Sequence, residues 1–213
     1  YRSKGYRFIF IEDSVTVNED TKQVEVKITI NEGKKFKIKS IEFSGNTYFK
    51  SKRLKKVIKT KKANKVLFRS GAFDEFEFED DIDRLMYFYQ KEGFLDVQVT
   101  PTVNYDNAQN YIYIELKIEE GIQYLAGDVS FKGNTTIPDM ELWSKVGMVP
   151  GTIYSADRLR DDVNNIKKGY FERGHIDAAV EPEVQFNKDN GKVKVIYQVV
   201  EGDVFYIDTV RIR

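Results

Sequence analysis

The sequence predicts an α/β fold of the α+β type, built from tandem β-α-α-β-β units. In each unit, two helices cover one face of a three-stranded mixed sheet. Three observations lead to this prediction. Short motifs return at offsets of 88 and 81 residues, which is typical of repeat proteins. Each copy contains a helical pattern with one apolar stripe. Two strands of alternating polarity, joined by a polar turn, follow each helical pattern.

The motif offsets also predict how the chain is divided. The stretch 41–47 returns as 129–135, and Glu-Gly pairs at 32–33, 120–121 and 201–202 close successive units. The two offsets differ by 7 residues, and this difference falls before Gly71, where residues 61–65 form a polar insertion. We therefore predict the C-terminal half of a repeat at 1–33, complete repeats at 34–121 and 122–202, and the first strand of a further repeat at 203–213.

Each complete unit opens with a short strand that leads into a turn. In the first of them, Ile41 and Phe43 alternate toward one face of the predicted sheet. A Gly-Asn pair follows the strand in both units, and this dipeptide favours a turn before the first helix. The predicted structural turn residues are Gly45, Asn46, Gly133 and Asn134.

The second helix of each unit has the clearest apolar stripe. Apolar residues are spaced by 4, 3 and 4 positions, from Phe78 to Tyr89 in one copy and from Leu159 to Tyr170 in the other. Gly93 and Gly174 follow these stripes, where a helix commonly ends with one residue in the left-handed conformation. We predict that both glycines end their helices.

The two strands after each helix predict a hairpin, and the hairpin predicts the strand order of the sheet. The opening strand arrives through a two-helix crossover, so it should lie parallel to the return strand, on the side away from the hairpin partner. The order is then opening, return, hairpin-first, with the hairpin-first strands at 95–104 and 176–185 on an edge. Pro101 and Pro182 agree with this order, since proline cannot donate to a sheet ladder.

The two prolines further predict which backbone groups point away from the sheet. Residues i and i+2 of a strand direct their N–H and C=O groups to the same side, so residues in phase with each proline should face outward. A guest strand could pair with these groups. The prolines could equally serve only to protect the edge from aggregation. The predicted peptide-binding residues are Leu95, Val97, Val99, Ile176, Ala178 and Val180.

Composition and motifs argue against an enzyme. Lys plus Arg equal Asp plus Glu at 34 each, so net charge gives no reason to expect a nucleic-acid partner. The chain has no cysteine, no phosphate-binding loop and no nucleophile motif. The single histidine, His175, follows a helix-ending glycine, and this position suggests a structural role. We predict no catalytic residue, cofactor or metal. The acidic residues Glu79, Asp80, Asp81 and Asp83 are predicted to form a solvated helix face.

Basic residues crowd the first helix of the first complete unit. A run of this kind is usually solvated, but it also fits an acidic lipoprotein or lipid head groups. The run contains Lys50, Lys52, Arg53, Lys55 and Lys56.

Taken together, three motifs resemble a known repeat family. They are Ile-Glu-Phe-x-Gly-Asn-Thr at 41–47, Tyr-x-x-x-Gly-Phe-x-Asp at 89–96 and Ile-x-Glu-Gly at 118–121. In this order they resemble the polypeptide-transport-associated (POTRA) repeats of BamA-type outer-membrane protein assembly factors, and the resemblance covers essentially the whole chain. The second copy departs from the pattern because His175 replaces the aromatic residue.

The resemblance implies a location and a set of partners. It implies a periplasmic array, attached to the outer membrane by a C-terminal β-barrel of the same chain. It also implies binding of unfolded outer-membrane proteins by β-strand addition, and docking of accessory lipoproteins. An alternative is a docking or spacer arm of a related two-partner secretion transporter or autotransporter-assembly factor.

Overall fold

A computed structural model describes residues 6, 9–64, 66, 69–206 and 208–211. Within this part of the chain, the strands are β1 (Phe10–Asn18), β2 (Gln23–Asn31), β3 (Lys37–Ser44), β4 (Gln98–Asp106), β5 (Tyr111–Glu119), β6 (Leu125–Lys132), β7 (Ala179–Asn187) and β8 (Lys192–Val200). The helices are α1 (Ser51–Val57), α2 (Glu75–Lys91), α3 (Asp139–Trp143) and α4 (Ala156–Phe171). No helix of the described residues is both long enough and apolar enough to cross a membrane.

The strands form three small sheets. β1 and β2 form an antiparallel pair, and the other two sheets have the orders β3-β5-β4 and β6-β8-β7. In each three-stranded sheet the opening strand runs parallel to the central return strand, and the hairpin-first strand runs antiparallel to it. The predicted fold class and strand order are therefore confirmed. The physical reason is that the short hairpin fixes one neighbour of the return strand, which leaves its other side for the opening strand.

The chain divides into two compact units. One consists of residues 1–87 and 98–120, and the other of residues 88–97 and 121–213. The division falls inside α2, so the boundaries predicted from the motifs remain a prediction. The described residues of 203–206 and 208–211 form no strand. Residues 207, 212 and 213 lie outside the described residues, so the first strand predicted at 203–213 remains a prediction.

The core of the first unit lies on one face of its three-stranded sheet. Along β5 the residues alternate, with Ile112, Ile114, Leu116 and Ile118 buried and the residues between them partly or fully exposed. This period of two is the sign of a sheet covered on one side only. The buried partners from β3 and the first helical region are Phe36, Ile38, Ile41, Leu54 and Ile58.

The second unit has an equivalent core with a larger aromatic content. Along α4 the predicted stripe buries Leu159, Ile166 and Tyr170. The helix begins after Ser155, whose side chain accepts a hydrogen bond from the N–H of Arg158 (3.4 Å), as expected of an N-cap. From the sheet, β8 buries residues including Val193, Val195, Tyr197 and Val199.

Each hairpin starts its turn with an Asn or Asp at the same place in the repeat. The Oδ1 atoms of Asn18, Asp106 and Asn187 each accept the N–H groups two and three residues further on, at 2.9–3.3 Å. Such turns mimic a backbone turn and fix where the two strands reverse. They therefore fix the register of the edge strand against the return strand.

Candidate peptide-binding edge strands

Two edges bound each three-stranded sheet, and the one at the opening strand is already paired along part of its length. In the first unit the N–H of Ile38 donates to the carbonyl of Gly71 (2.8 Å), and the N–H of Ala63 donates to the carbonyl of Ile38 (3.0 Å). The inter-helix segment therefore lies against β3 and satisfies its backbone groups there. A guest strand has no access to this part of the edge.

The second unit closes its opening edge in the same way. The N–H of Ala126 donates to the carbonyl of Thr152 (2.8 Å), and the N–H of Gly151 donates to the carbonyl of Ala126 (2.7 Å). In the second unit the two residues that pair with Ala126, Gly151 and Thr152, are adjacent in sequence. In the first unit the two residues that pair with Ile38, Ala63 and Gly71, are separated by the seven residues 64–70. The seven extra residues of the first unit therefore fall between two backbone contacts that both units share.

The opposite edges are open over residues 98–104 of β4 and along β7. Among the described residues, no backbone hydrogen bond joins these stretches to a segment other than the hairpin partner. Pro101 lies opposite Leu116 and Pro182 lies opposite Tyr197, both on the central strand. Because proline lacks a donor, it fits a position whose backbone faces away from the neighbouring strand. Val99 and Val103 share the phase of Pro101, and the corresponding residues of β7 are Val180 and Val184.

Each open edge begins later than the sequence predicts. Leu95 and Ile176 lie in turns, and Val97 and Ala178 lie just before β4 and β7. Only Val99 and Val180 of the six predicted residues fall inside a strand.

The outward-facing N–H predicted for Ala178 is also wrong, because this N–H donates to the carbonyl of His175 (3.3 Å). The reason for the error is that apolar and polar residues continue to alternate through the turn. Leu95, for example, is apolar because it packs against the core of the second unit. Peptide binding by the six residues remains a prediction.

The residues in phase with each proline carry their side chains on the helix-covered face. Val99, Val103 and Tyr105 are partly buried, whereas Gln98, Thr100, Thr102 and Asn104 on the other face are exposed. On β7, the ring of Phe186 packs edge-on against Tyr124 and Tyr154, with centroids 5.5 and 5.3 Å apart, and it is still 47% exposed. A guest strand at this edge would meet an apolar surface on one face and water on the other.

A carboxylate holds the turn after each opening strand, and sequence reasoning assigned it no role. Glu201 accepts the N–H and Oγ1–H groups of Thr135 and Thr136 at 2.6–3.0 Å, and the hydroxyl of Tyr170 at 3.0 Å. Burial alone would raise the pKa of Glu201, but the threonine hydrogen bonds outweigh it and lower the pKa to about 2. In the first unit, Glu120 accepts the N–H groups of Thr47 and Tyr48 and the hydroxyl of Thr47. Glu120 lies in an Ile-x-Glu-Gly motif and Glu201 in a Val-x-Glu-Gly motif. The recurrence of this glutamate is the feature of the sequence that could have indicated its role.

A second carboxylate in each unit holds the loop after the first helix. The prediction that Asp81 lies on a solvated face is wrong: it is 1% exposed and accepts the N–H groups of Lys59 and Thr60, both at 2.6 Å. The guanidinium of Arg84 also donates to it at 2.6 Å. The equivalent Asp162 accepts the N–H groups of Gly147 and Met148 and the hydroxyl of Tyr197, at 2.6–2.9 Å. The sequence signal was that Asp81 and Asp162 occupy matching positions in the two second helices.

The predicted turn residues lie where the chain reverses. Gly45 and Gly133 have φ angles of +77° and +79°, and a Cβ at either would overlap a carbonyl oxygen of the return strand. Asn46 and Asn134 donate from Nδ2 to the carbonyls of Phe49 (2.7 Å) and Ile137 (3.0 Å). Gly93 and Gly174, with φ of +89° and +87°, follow the ends of α2 and α4.

His175 is a buried structural residue. It is 5% exposed, its Nδ1 lies 3.2 Å from the carbonyl oxygen of Gly202, and its Nε2 lies 3.4 Å from the hydroxyl of Thr136. Its ring packs edge-on against Tyr170. Both ring nitrogens therefore have neighbours within the fold, and the residue links the helix end to the two turns beside it.

Comparisons with known proteins agree with this architecture. Of the curated relatives, the outer membrane protein assembly factor BamA of Neorickettsia risticii is 29% identical over 199 residues, which is 91% of this chain and 26% of the relative. The BamA of Neisseria meningitidis serogroup B is 26% identical over 196 residues, covering 89% of this chain and 24% of the relative. The chain thus spans about a quarter of the length of these relatives.

A solved structure shows the same fold. The crystal structure of Haemophilus influenzae BamA POTRA3-5 matches with a TM-score of 0.51 and 23% identity, covering 92% of this chain and 74% of that one. The family model for POTRA, described as surface antigen variable number repeat, matches residues 36–121 and 124–202. Most of the chain is therefore accounted for by two copies of one unit, and the protein belongs to the POTRA family.

Proposed function

We propose that this chain is part of the periplasmic repeat array of a BamA-type outer-membrane protein assembly factor. We further propose that β4 and β7 receive extended segments of unfolded outer-membrane proteins by strand addition. The observation that carries the proposal is the asymmetry of each sheet, in which the opening edge is paired by an inter-helix segment and the hairpin edge is open. The similarity to BamA factors supports the choice of client.

The chemistry of the open edge suits a weak and general receptor. Backbone N–H and C=O groups recognise any extended chain, and the alternating faces of the edge favour a guest with alternating apolar residues. Each added hydrogen bond contributes about 0.5–1.5 kcal/mol net, and the proline removes one donor from the middle of the edge. Binding to one edge should therefore be reversible, and two edges on one chain raise the overall affinity through their effective concentration.

The remaining roles follow from the same proposal. The exposed faces of the units leave surface for accessory lipoproteins of an assembly complex, and the array would lie in the periplasm. Attachment to the outer membrane through a C-terminal β-barrel would hold the array near the site of insertion. The chain would act as a scaffold and receptor, without catalysis.

Matched proline substitutions on β4 and β7 test strand addition. Val103→Pro and Val184→Pro each remove an N–H in phase with the native proline, so they should leave the ladder intact and the melting temperature nearly unchanged. Crosslinking to an extended peptide with alternating apolar residues should fall strongly in the double variant. Thr102→Pro and Glu183→Pro are the controls, because they remove ladder donors and should destabilise the sheet. If the folded Val103→Pro and Val184→Pro double variant crosslinks like the parent, the edges do not receive the guest.

A further inference from the structure

A cleft in the first unit has a composition unlike that of the open edges. It lies between β3 and the segment that follows α1, with a volume of about 420 Å³. Ile41 and Ile58, which are 7% and 2% exposed, are core residues that lie at the floor of the cleft. The remaining lining is basic except for Thr60, and comprises Lys55, Lys56, Lys61, Lys62 and Arg69.

The charges around this cleft are not neutralised by neighbours. In the described part of the chain, no carboxylate lies within ion-pair distance of Lys55, Lys56, Lys62 or Arg69. The nearby Asp81 is already bound by Arg84 and two backbone N–H groups. Five cations therefore converge on a partly apolar cleft that contains no acidic lining residue.

Lys61 adds to the positive potential inside the cleft. Its ammonium group donates to the carbonyl oxygens of Lys55 and Ile58, so it closes the C-terminal end of α1 and is held in place. Burial lowers the pKa of Lys61, Asp81 partly offsets this effect, and Arg69 lowers the pKa further. A bound anion would relieve this repulsion between cations.

The second unit lacks this arrangement. The position of Lys55 in the repeat is occupied by Trp143, whose ring packs edge-on against Phe131 at 5.2 Å and lies against the core. The positions of Lys61 and Lys62 are occupied by Val149 and Pro150. The basic cleft is therefore a property of the first unit, and the repeat fold does not require it.

We propose that this cleft binds an amphiphile with one anionic head group, a phosphate or a carboxylate, joined to a short apolar chain. The basic rim matches the head group, and the apolar floor at Ile41 and Ile58 matches the chain. A peptide backbone is disfavoured as the occupant, because the adjoining part of β3 already pairs with Ala63 and Gly71. This inference is independent of strand addition at the open edges.

Titration with dodecyl phosphate, below its micelle-forming concentration, tests the proposal on the 213-residue chain. The methyl resonances of Ile41 and Ile58 should shift on binding. Inorganic phosphate and neutral dodecyl maltoside should each shift these methyl resonances much less. Inorganic phosphate has no apolar chain, and dodecyl maltoside has no anionic head group. Equal shifts with dodecyl maltoside would overturn the proposal, and so would equal binding of an acidic peptide.

Charge-reversal variants separate the cleft from general attraction. Lys62→Glu combined with Arg69→Glu should weaken dodecyl phosphate binding by about tenfold or more. Lys50→Glu combined with Lys52→Glu changes the net charge equally, but neither residue lines the cleft, so affinity should change by about twofold or less. Equal weakening by the two pairs would contradict a specific site. Lys55→Trp, which introduces the side chain that the second unit has at Trp143, should fill the cleft and abolish the shifts.

A final arm identifies the source of the head group. If the natural ligand is a membrane lipid, vesicles containing phosphatidylglycerol should bind the parent chain. The same vesicles should not bind the variant with Lys62→Glu and Arg69→Glu. If it is a free amphiphile, only monomeric dodecyl phosphate should bind. The proline variants of β4 and β7 should leave both results unchanged, which keeps this test distinct from that of the proposed function.

Discussion

At the scale of single residues, two carboxylates per unit position the loops between strands and helices. Asp162 is 2% exposed and accepts hydrogen bonds from two backbone N–H groups and the hydroxyl of Tyr197. Burial, together with this hydrogen bond, raises the pKa of the Tyr197 phenol. Such charge-assisted hydrogen bonds contribute about 1.5–3 kcal/mol each. The side chains therefore hold the loops that flank each sheet more firmly than neutral turns would.

Glu201 gives a prediction about pH. Its pKa is about 2 in the folded chain and near 4.5 when unfolded, so its stabilisation is fully present above about pH 4.5 and is lost as the pH falls toward 2. Glu201→Gln should lower the melting temperature at pH 7, because an amide cannot accept all five hydrogen bonds. The difference in melting temperature between parent and variant, measured by thermal unfolding, should be smaller at pH 3 than at pH 7. A gap that is equal at both values would contradict this role, and Glu181→Gln on exposed β7 is the control.

At the scale of elements, strand order was predictable and strand ends were not. Pro101, Pro182 and the two-helix crossover leave one consistent order, because each acts through a hard constraint on hydrogen bonding or chain connection. The start of β4 was misplaced because Leu95 and Val97 extend the alternation through a turn, where their apolar side chains serve packing rather than a strand.

The candidate edge could be found from sequence, but its pairing partners could not. The burial of Asp81 was equally hidden, since an aspartate among exposed acids gives no local sign of the N–H groups of Lys59 and Thr60 that reach it. The closure of β3 by Ala63 and Gly71 is another long-range contact with no local signal, and it decides which edge stays open.

The turn after each opening strand gives the prediction at this scale. Gly133 has a φ of +79°, and an added Cβ would overlap the carbonyl oxygen of Val199 on β8. Gly133→Ala should therefore destabilise the second unit by about 3 kcal/mol or more, measured by urea unfolding.

Gly151→Ala is the matched control for this turn. Gly151 has a similar φ of +87° but no atom within 4 Å of an added Cβ, so only the backbone cost of about 1–2 kcal/mol remains. Equal losses for Gly133→Ala and Gly151→Ala would mean that close approach to β8 is unimportant.

At the scale of the whole molecule, the compact units do not coincide with the motif repeats. The end of α2 and the turn that follows it, residues 88–97, belong to the second unit. There the carbonyl of Gly93 accepts the N–H of Tyr124 (2.8 Å), and the hydroxyl of Tyr124 donates to Asp96 (2.8 Å). The same backbone contact recurs between Gly174 and Phe205, also at 2.8 Å. The end of each second helix thus binds the backbone of the segment that follows the return strand of its own hairpin.

This arrangement predicts that a substitution in one motif repeat weakens the following unit. In Gly93→Ala the new methyl would lie 2.8 Å from the Cγ2 atom of Ile153 and 2.9 Å from the carbonyl oxygen of Tyr124, at a φ of +89°. We expect a loss of about 3 kcal/mol, since both the backbone conformation and the packing are unfavourable for alanine.

Hydrogen exchange locates the effect of Gly93→Ala. Amides of β6, which directly follows Tyr124, should exchange faster, while those of β3 and β5 in the first unit should change little. Gly151→Ala is again the control, because it measures the destabilisation caused by a positive φ alone. Faster exchange confined to β3 and β5 would instead assign Gly93 to the first unit, and the recurring glycine–aromatic contact would then have no role in anchoring the next strand.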